Sequence, residues 1–446
     1  MTRLLDIARL DTRAADFEAR FAALLAHELD HDSDAERGAR EIIAEVRNRG
    51  DAAVLEFTRR FDRVECRDMS ELYLNPQDFQ TAFERIGVEE RQALTEAARR
   101  IRDYHEHQRS SDWSYTDALG NRLGQRVTPL ERVGLYVPGG QAAYPSTVLM
   151  TAVPAKVAGV PSLLMTVPTP GGVRNDLVLA AAHVAGVDGG FCIGGAQAIA
   201  ALAYGTESVV RVDKIVGPGG AYVAAAKRQV YGEVGIDLIA GPSEVLVIAD
   251  ESAPAQWLAW DLFSQAEHDA AAQALLLSPS AGLLDEVHEA MTGLLARQPR
   301  RHTIETSLAR RGALILTRSL EESLDLANRV APEHLQLCVR NPDSWLDRVS
   351  HAGAIFLGAH SPEVMGDYAA GPSHVLPTSG TARFSSPLGV YDFQKRSSVI
   401  ALSAQGARVL ARTSAALAAG EGLHAHAGAA AARISGFDHN QSDSSG

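Results

Sequence analysis

Val133-Gly-Leu-Tyr-Val137, closed by Pro138-Gly139-Gly140, is the first β-rich run after a long helical stretch, and it decides the fold. A helix is expected next over 148–157, then the strand Leu163-Leu-Met-Thr-Val167 and a helix over 176–184. The run Gly190-Phe-Cys-Ile193, a Gly-Gly turn and an Ala-rich helix to Tyr204 complete the set. Strand and helix alternating at such short spacing indicate parallel βαβ units. A second alternating set starts at Val245-Leu-Val-Ile248. It continues through Ala274-Leu-Leu-Leu277, Ala313-Leu-Ile-Leu316, Leu335-Gln-Leu-Cys-Val339 and Ala354-Ile-Phe-Leu357. Two α/β domains are the expected frame.

Outward from these sets the pattern is helical on both sides. Phe17, Phe21, Leu24 and Leu25 keep a 3.6-residue period, Ile42, Ile43 and Val46 repeat it, and Gly50 reads as a stop. A longer helical region is expected over 78–108. After Gly380 the alternation ends: 385–395 reads as irregular, an Ala-rich helical segment runs from Gln405 towards Arg433, and the polar residues from Asp438 on read as a frayed end.

Bulk properties exclude several classes. The 446 residues exceed one small domain, and 46% hydrophobic with 22% charged residues is ordinary for a globular protein. A net charge of -13 without a Lys/Arg-rich run argues against a nucleic-acid partner. Cys66, Cys192 and Cys338 are far apart, which excludes a disulfide framework and a thiolate zinc site and suits a reducing cytoplasm. The first ten residues are broken by charges and offer no signal-peptide core, and nothing reaches the ~18 apolar residues of a membrane span. A cytoplasmic location is expected.

Chemistry concentrates in a few places. Glu333 and His334 put a carboxylate and an imidazole side by side where an α/β crossover delivers the chain into a strand. Neighbouring side chains on an extended segment point to opposite faces, so the two serve one cavity only if the backbone turns there. Pro332 makes that turn plausible. Two proton-transfer groups of different pKa suit multi-step acid–base work; a strand-edge Glu beside a core His is the plain alternative. On the expected helix after Asp250, Trp257, Asp261, Gln265 and His268 share one face. Gln265 and His268 could offer donors to one ion, or simply form a polar helix face. Asp367 and His374 fall in a Gly-rich stretch after the strand ending at Leu357, where open α/β sheets place active-site loops, and they serve equally as turn formers. In Glu421-Gly-Leu-His424-Ala-His426, an unbroken helix would pair Glu421 with His424 and turn His426 away. Neither Gly-x-Gly-x-x-Gly nor a Walker sequence occurs; the Gly turns at 138–140, 194–195 and 217–220 could approach a phosphate.

Together these segments resemble one family, the histidinol dehydrogenases. The resemblance is carried by Glu131-Arg-Val-Gly-Leu-Tyr-Val-Pro-Gly-Gly140, by residues 194–206, by Val212-Asp-Lys-Ile-Val-Gly-Pro-Gly219 and by residues 240–250. It continues through Asp261-Leu-Phe-Ser-Gln-Ala-Glu-His-Asp269, Ala331-Pro-Glu-His-Leu335, Ser361-Pro-Glu363, Gly366-Asp-Tyr368, His374-Val-Leu-Pro-Thr378 and Asp392-Phe-Gln-Lys-Arg396. It spans nearly the whole chain.

The resemblance implies a zinc enzyme that ends histidine biosynthesis by oxidising L-histidinol with two NAD⁺. It implies two incomplete Rossmann-like α/β domains with parallel-rich sheets, small helical N-terminal and extended C-terminal domains, and a domain-swapped homodimer with shared active sites. The implied divisions are 1–30 with 114–132, 31–113 with 243–388 as the catalytic and zinc domain, 133–242 as the NAD-binding domain, and 389–446 as the swapped tail. Gln265, His268, Asp367 and His426 match the zinc ligands, and Glu333 and His334 the catalytic pair. Ser243, Glu421 and His374 match substrate contacts, joined by Gln265, His268, His334, Asp367 and His426 around the held substrate. Tyr136 and Gln197 match NAD contacts. An interruption at Gly422 would free His426 from the helix face of Glu421. One departure stands out: Gly220 occupies the place where the family usually has an NAD-contacting Asn, and Ser373 is a milder change. It keeps open a paralogue acting on another small polyol or sulfonated diol. A hydrolytic zinc enzyme with Glu333 as base is a third reading.

Overall fold

The structure, a computed structural model, describes residues 5–26, 33–139 and 144–434. Gly140 of the first Gly turn and the polar stretch 438–446 lie outside the described residues. Two compact units emerge: one holds Leu130–Phe393 with the chain up to Gln108, the other Arg109–Pro129 with the chain from Gln394 on.

The first unit carries two sheets. One is fully parallel, in the order Ala8–Asp11, Gly312–Leu316, Gln273–Ser278, Glu244–Ala249, His334–Cys338, Ala354–Leu357. Glu244–Ala249 and Gln273–Ser278 are buried at every position, as strands covered by helices on both faces must be. Alternation splits the core accordingly. Val245 and Val247 pack with Leu258, Leu262 and Phe263 of the helix Ala255–Ala266, whereas Leu246 and Ile248 pack with Leu324 and Ala327 of the helix Leu320–Val330. The second sheet runs Tyr73–Leu74, Gly189–Phe191, Ser162–Thr166, Arg132–Tyr136, Lys214–Val216, Gly235–Ile236, parallel except for its first pairing.

Every strand expected in the two alternating sets is present, shifted by a residue or two at most. Three features differ. The N-terminal region is not wholly helical, because Ala8–Asp11 lies along Gly312–Leu316 as an edge strand. Residues 34–106 pack on the second sheet: Tyr73–Leu74 hydrogen-bonds to it, and Ile42, Phe79 and Ile101 share its core with Leu135 and Met165. The sequence had paired 31–113 with 243–388, but burial, not chain order, chose the sheet that these apolar helix faces cover. The region 78–108 is two helices, Pro76–Arg85 and Val88–Glu106, the first started by an Asn75–Asp78 capping box.

The second unit is an antiparallel sheet, Gln394–Ala401 with Arg122–Pro129 with Trp113–Thr116, followed by the helices Ala404–Gly420 and His424–Ala431. Part of the stretch read as irregular is therefore strand. Gly422 at φ 74° separates the two helices, a conformation that costs a glycine little.

Candidate active site

A cleft of about 1170 Å³ opens between the two sheets of the first unit. Its floor is the amino edge of the parallel sheet, where Ser243 precedes Glu244–Ala249 and Glu333 precedes His334–Cys338. Its opposite wall is the loops after the carboxyl ends of Arg132–Tyr136 and Lys214–Val216, with Pro138, Gly219 and Gly220. A cleft lined by an acid and an imidazole at the amino edge runs against the usual placement of sites after the carboxyl ends of strands. The helix Ala255–Ala266 explains this: it runs back towards that edge and delivers Gln265 and His268 there.

Glu333 and His334 do serve one cavity. The helix Leu320–Val330 starts on a Ser319 cap and ends on Ala331, a non-glycine residue at φ 53°, which turns the chain ahead of Pro332. Both side chains then line the cleft. His334 Nδ1 lies 3.0 Å from the Glu244 carbonyl oxygen and donates to it, leaving Nε2 as a lone-pair nitrogen without a protein partner. Burial pushes the imidazole pKa down to about 3, so the ring is neutral. Glu333 Oε2 accepts from the Glu244 amide at 2.9 Å. Burial, then the charges of Glu244 and Asp367, push its pKa well above the ordinary carboxylate range.

Beside them lies a donor cluster. His268, Glu363 and Asp367 bring one ligand atom each to within 4.8 Å of one another. His334 Nδ1 is 3.7 Å from Glu363 Oε1, and Nε2 is 3.7 Å from Asp367 Oδ1, both too long for a hydrogen bond. Gln265 is fully buried, lines the cleft, and has neither amide atom paired with protein. Desolvation raises Asp367 to about 7, and desolvation with the charges of Asp367 and Glu333 holds Glu363 well up. Crowded acids, a His and an orphaned amide oxygen are a donor set that a divalent cation would satisfy, with the N/O chemistry that zinc accepts. His374 Nδ1 donates to the Asp367 carbonyl at 3.0 Å, and its Nε2 lies 3.5 Å from Thr147 Oγ1.

The structure thus gathers Ser243, Gln265, His268, Glu333, His334, Asp367, His374 and Gly220 around one cleft. Gly220 caps the helix Ala221–Val230 at φ -66°, with open space where a side chain would stand, so an Asn would fit. Tyr136 and Gln197 are buried and do not line it; Tyr136 Oη accepts from the Gly195 amide at 3.1 Å. Glu421 and His426 belong to the second unit, Glu421 closing the helix Ala404–Gly420 and His426 lying exposed in the next. Glu363 was given no role from sequence; its signal was the i, i+4 spacing to Asp367 on the short helix Glu363–Tyr368.

A neutral His with an adjacent acid, over a cation-type donor cluster on an α/β frame, defines a metal-type acid–base site. The comparisons specify it. The family profile described as histidinol dehydrogenase matches residues 26–434. Histidinol dehydrogenase of Dechloromonas aromatica (strain RCB) is 59% identical over 428 residues, covering 96% of this chain and 99% of that protein. That of Neisseria meningitidis serogroup A is 57% identical over 426 residues, covering 96% and 99%. The crystal structure of histidinol dehydrogenase from Elizabethkingia anophelis superposes with a TM-score of 0.91 at 31% identity, covering 97% of this chain and 99% of that one. The chain belongs to the histidinol dehydrogenase family and is an NAD-dependent oxidoreductase of histidine biosynthesis. These relatives give the polyol or sulfonated-diol alternative no support.

Proposed function

We propose that this chain oxidises L-histidinol to L-histidine through L-histidinal kept in the cleft, with the balance histidinol + 2 NAD⁺ + H₂O → histidine carboxylate + 2 NADH + 3 H⁺. What carries the assignment of roles is the His334 ring, tied at Nδ1 to the Glu244 carbonyl and bare at Nε2. His334 Nε2 takes the hydroxyl proton as the first hydride leaves the alcohol carbon. Glu333 takes a proton from the water that adds to the aldehyde, and His334 takes the hydroxyl proton of the hydrate as the second hydride leaves. Glu333 must be ionised for this, and a cation on Asp367 would remove one of the charges that raise its pKa.

Gln265, His268, Asp367 and His426 would hold one zinc per subunit, which supplies a template for the imidazole and amino groups of the substrate. Ser243, Glu421 and His374 would complete the substrate contacts, and Tyr136 and Gln197, with the Gly220 backbone, those to NAD. On this reading 133–242 is the cofactor half, and 389–446 comes from a second copy of the chain in a swapped cytoplasmic homodimer. Its support is that Glu421 and His426 flank the Gly422 break, Glu421 just before it and His426 beyond it, in a separate compact unit.

The test is turnover. Zinc-loaded protein should release two NADH per L-histidinol, and Glu333→Gln should slow oxidation of L-histidinal by about 10²-fold or more while sparing the first hydride transfer. Equal slowing of both half-reactions would remove Glu333 from the water step.

A further inference from the structure

Away from the cleft, the amino end of the helix Gly195–Tyr204 collects three buried polar side chains around Gly194 and Gly195. Asp62, the last residue of the helix Asp51–Asp62, is 9% exposed; its carboxylate takes a hydrogen bond from the Gly194 amide, and its Oδ2 has no protein partner. Tyr136 accepts from the Gly195 amide and feels the Asp62 charge. Gln197 leaves both amide atoms without a protein partner, and its Oε1 lies 2.7 Å from where a Cβ on Gly195 would stand. Thr166, register partner of Tyr136 on the neighbouring strand, is fully buried with an unpaired hydroxyl. Gly195, at φ 64°, is only partly buried, so one backbone position beside these groups faces outward.

Leaving one such group unpaired costs about 1–3 kcal/mol, and here they converge on one helix end. A bare helix amino end favours an anion, but the Asp62 carboxylate already faces this one and would repel a phosphate. What remains are acceptors at Asp62 and Gln197 beside donors at Gln197 and Tyr136. That mixture matches neighbouring hydroxyls on a sugar.

We infer that Asp62 is a specificity-determining residue for the cofactor: its Oδ2 accepts from a ribose hydroxyl, and its charge rejects a cofactor phosphorylated on that ribose. This rests on the reading that Tyr136 and Gln197 touch NAD.

The test is KM and kcat for NAD⁺ and NADP⁺ in the zinc-loaded enzyme, unmodified and as Asp62→Asn and Asp62→Ser. Losing a hydrogen bond to a charged group should raise KM for NAD⁺ about tenfold in both Asp62 variants, with kcat within about twofold. The preference for NAD⁺ over NADP⁺ should fall by at least about tenfold. An unchanged preference in the Asp62 variants would reduce Asp62 to a brace for the Gly194 loop. An unmodified enzyme that accepts NADP⁺ as readily as NAD⁺ would overturn the inference with no variant needed. Absence of any turnover in unmodified protein would count against the functional reading instead, and calorimetric NAD⁺ and NADP⁺ binding to the same variants would then decide the role of Asp62 separately.

Discussion

At the scale of single residues, the site is a problem in charge. Glu333, Glu363 and Asp367 crowd around a neutral His334; burial raises the pKa of each, and for Glu333 and Glu363 the charges of their neighbours raise it further. A cation binds only the ionised form, so metal uptake must release protons. With Asp367 at about 7, its proton is still bound below neutrality and gone above it. Metal affinity should therefore rise by about tenfold per pH unit per proton released as pH climbs from 6 towards 7, and flatten above 8. Zinc titrations at pH 6, 7 and 8 in differently protonating buffers measure both slope and proton count; affinity independent of pH would exclude Asp367 as a ligand. The sequence offered every one of these residue types but not their protonation, which depends on how much water the fold removes. Glu363 shows the same limit: it stood in a motif, yet only the packing of its short helix beside His334 gave it a place in the cluster.

At the scale of elements, loops with little sequence character are held by buried ion pairs. Lys227, on the helix Ala221–Val230, is 2% exposed, forms an ion pair with Asp237 and donates to the Gly217 carbonyl at 2.9 Å. Asp237 Oδ2 accepts from the Gly217 amide at 2.7 Å. The loop that carries Gly219 and Gly220 to the cleft is thus gripped at both backbone atoms of one residue. Lys227→Met strands a buried carboxylate and should cost about 3–5 kcal/mol, read as a lower urea midpoint. Adding Asp237→Leu should recover part of it, and equal stability of the two variants would contradict the clamp. The strands themselves were legible, because runs such as Val245 to Ile248 are buried on both faces and need no partner to be recognised. The edge strand Ala8–Asp11 was not, since half its side chains face outward and its pairing lies some three hundred residues away.

At the scale of the whole molecule, the open question is which cleft the tail serves. Gly422 lets His426 leave the line of the preceding helix, so helix geometry no longer pairs Glu421 with His424. If the tail completes a second copy's site, mixing Glu333→Gln with His426→Ala, each deficient alone in forming histidine, restores histidine formation. A mixed dimer then holds one site with both lesions and one with none, giving about a quarter of normal activity after random reassembly. No recovery in dimers shown to have exchanged would assign the tail to its own chain.

The sequence by itself determined the αβ alternation, the two sheets and the types of residue at the site, because strand burial, helix period and short motifs are local properties of the chain. Tertiary structure decided the rest. It set Glu333 and His334 at the amino edge of their sheet, moved residues 34–106 onto the other sheet, and brought Glu363 to His334. Each of these depends on which apolar faces meet and which acids share a water-poor space. Those are relations between segments far apart in the chain, and no local pattern encodes them.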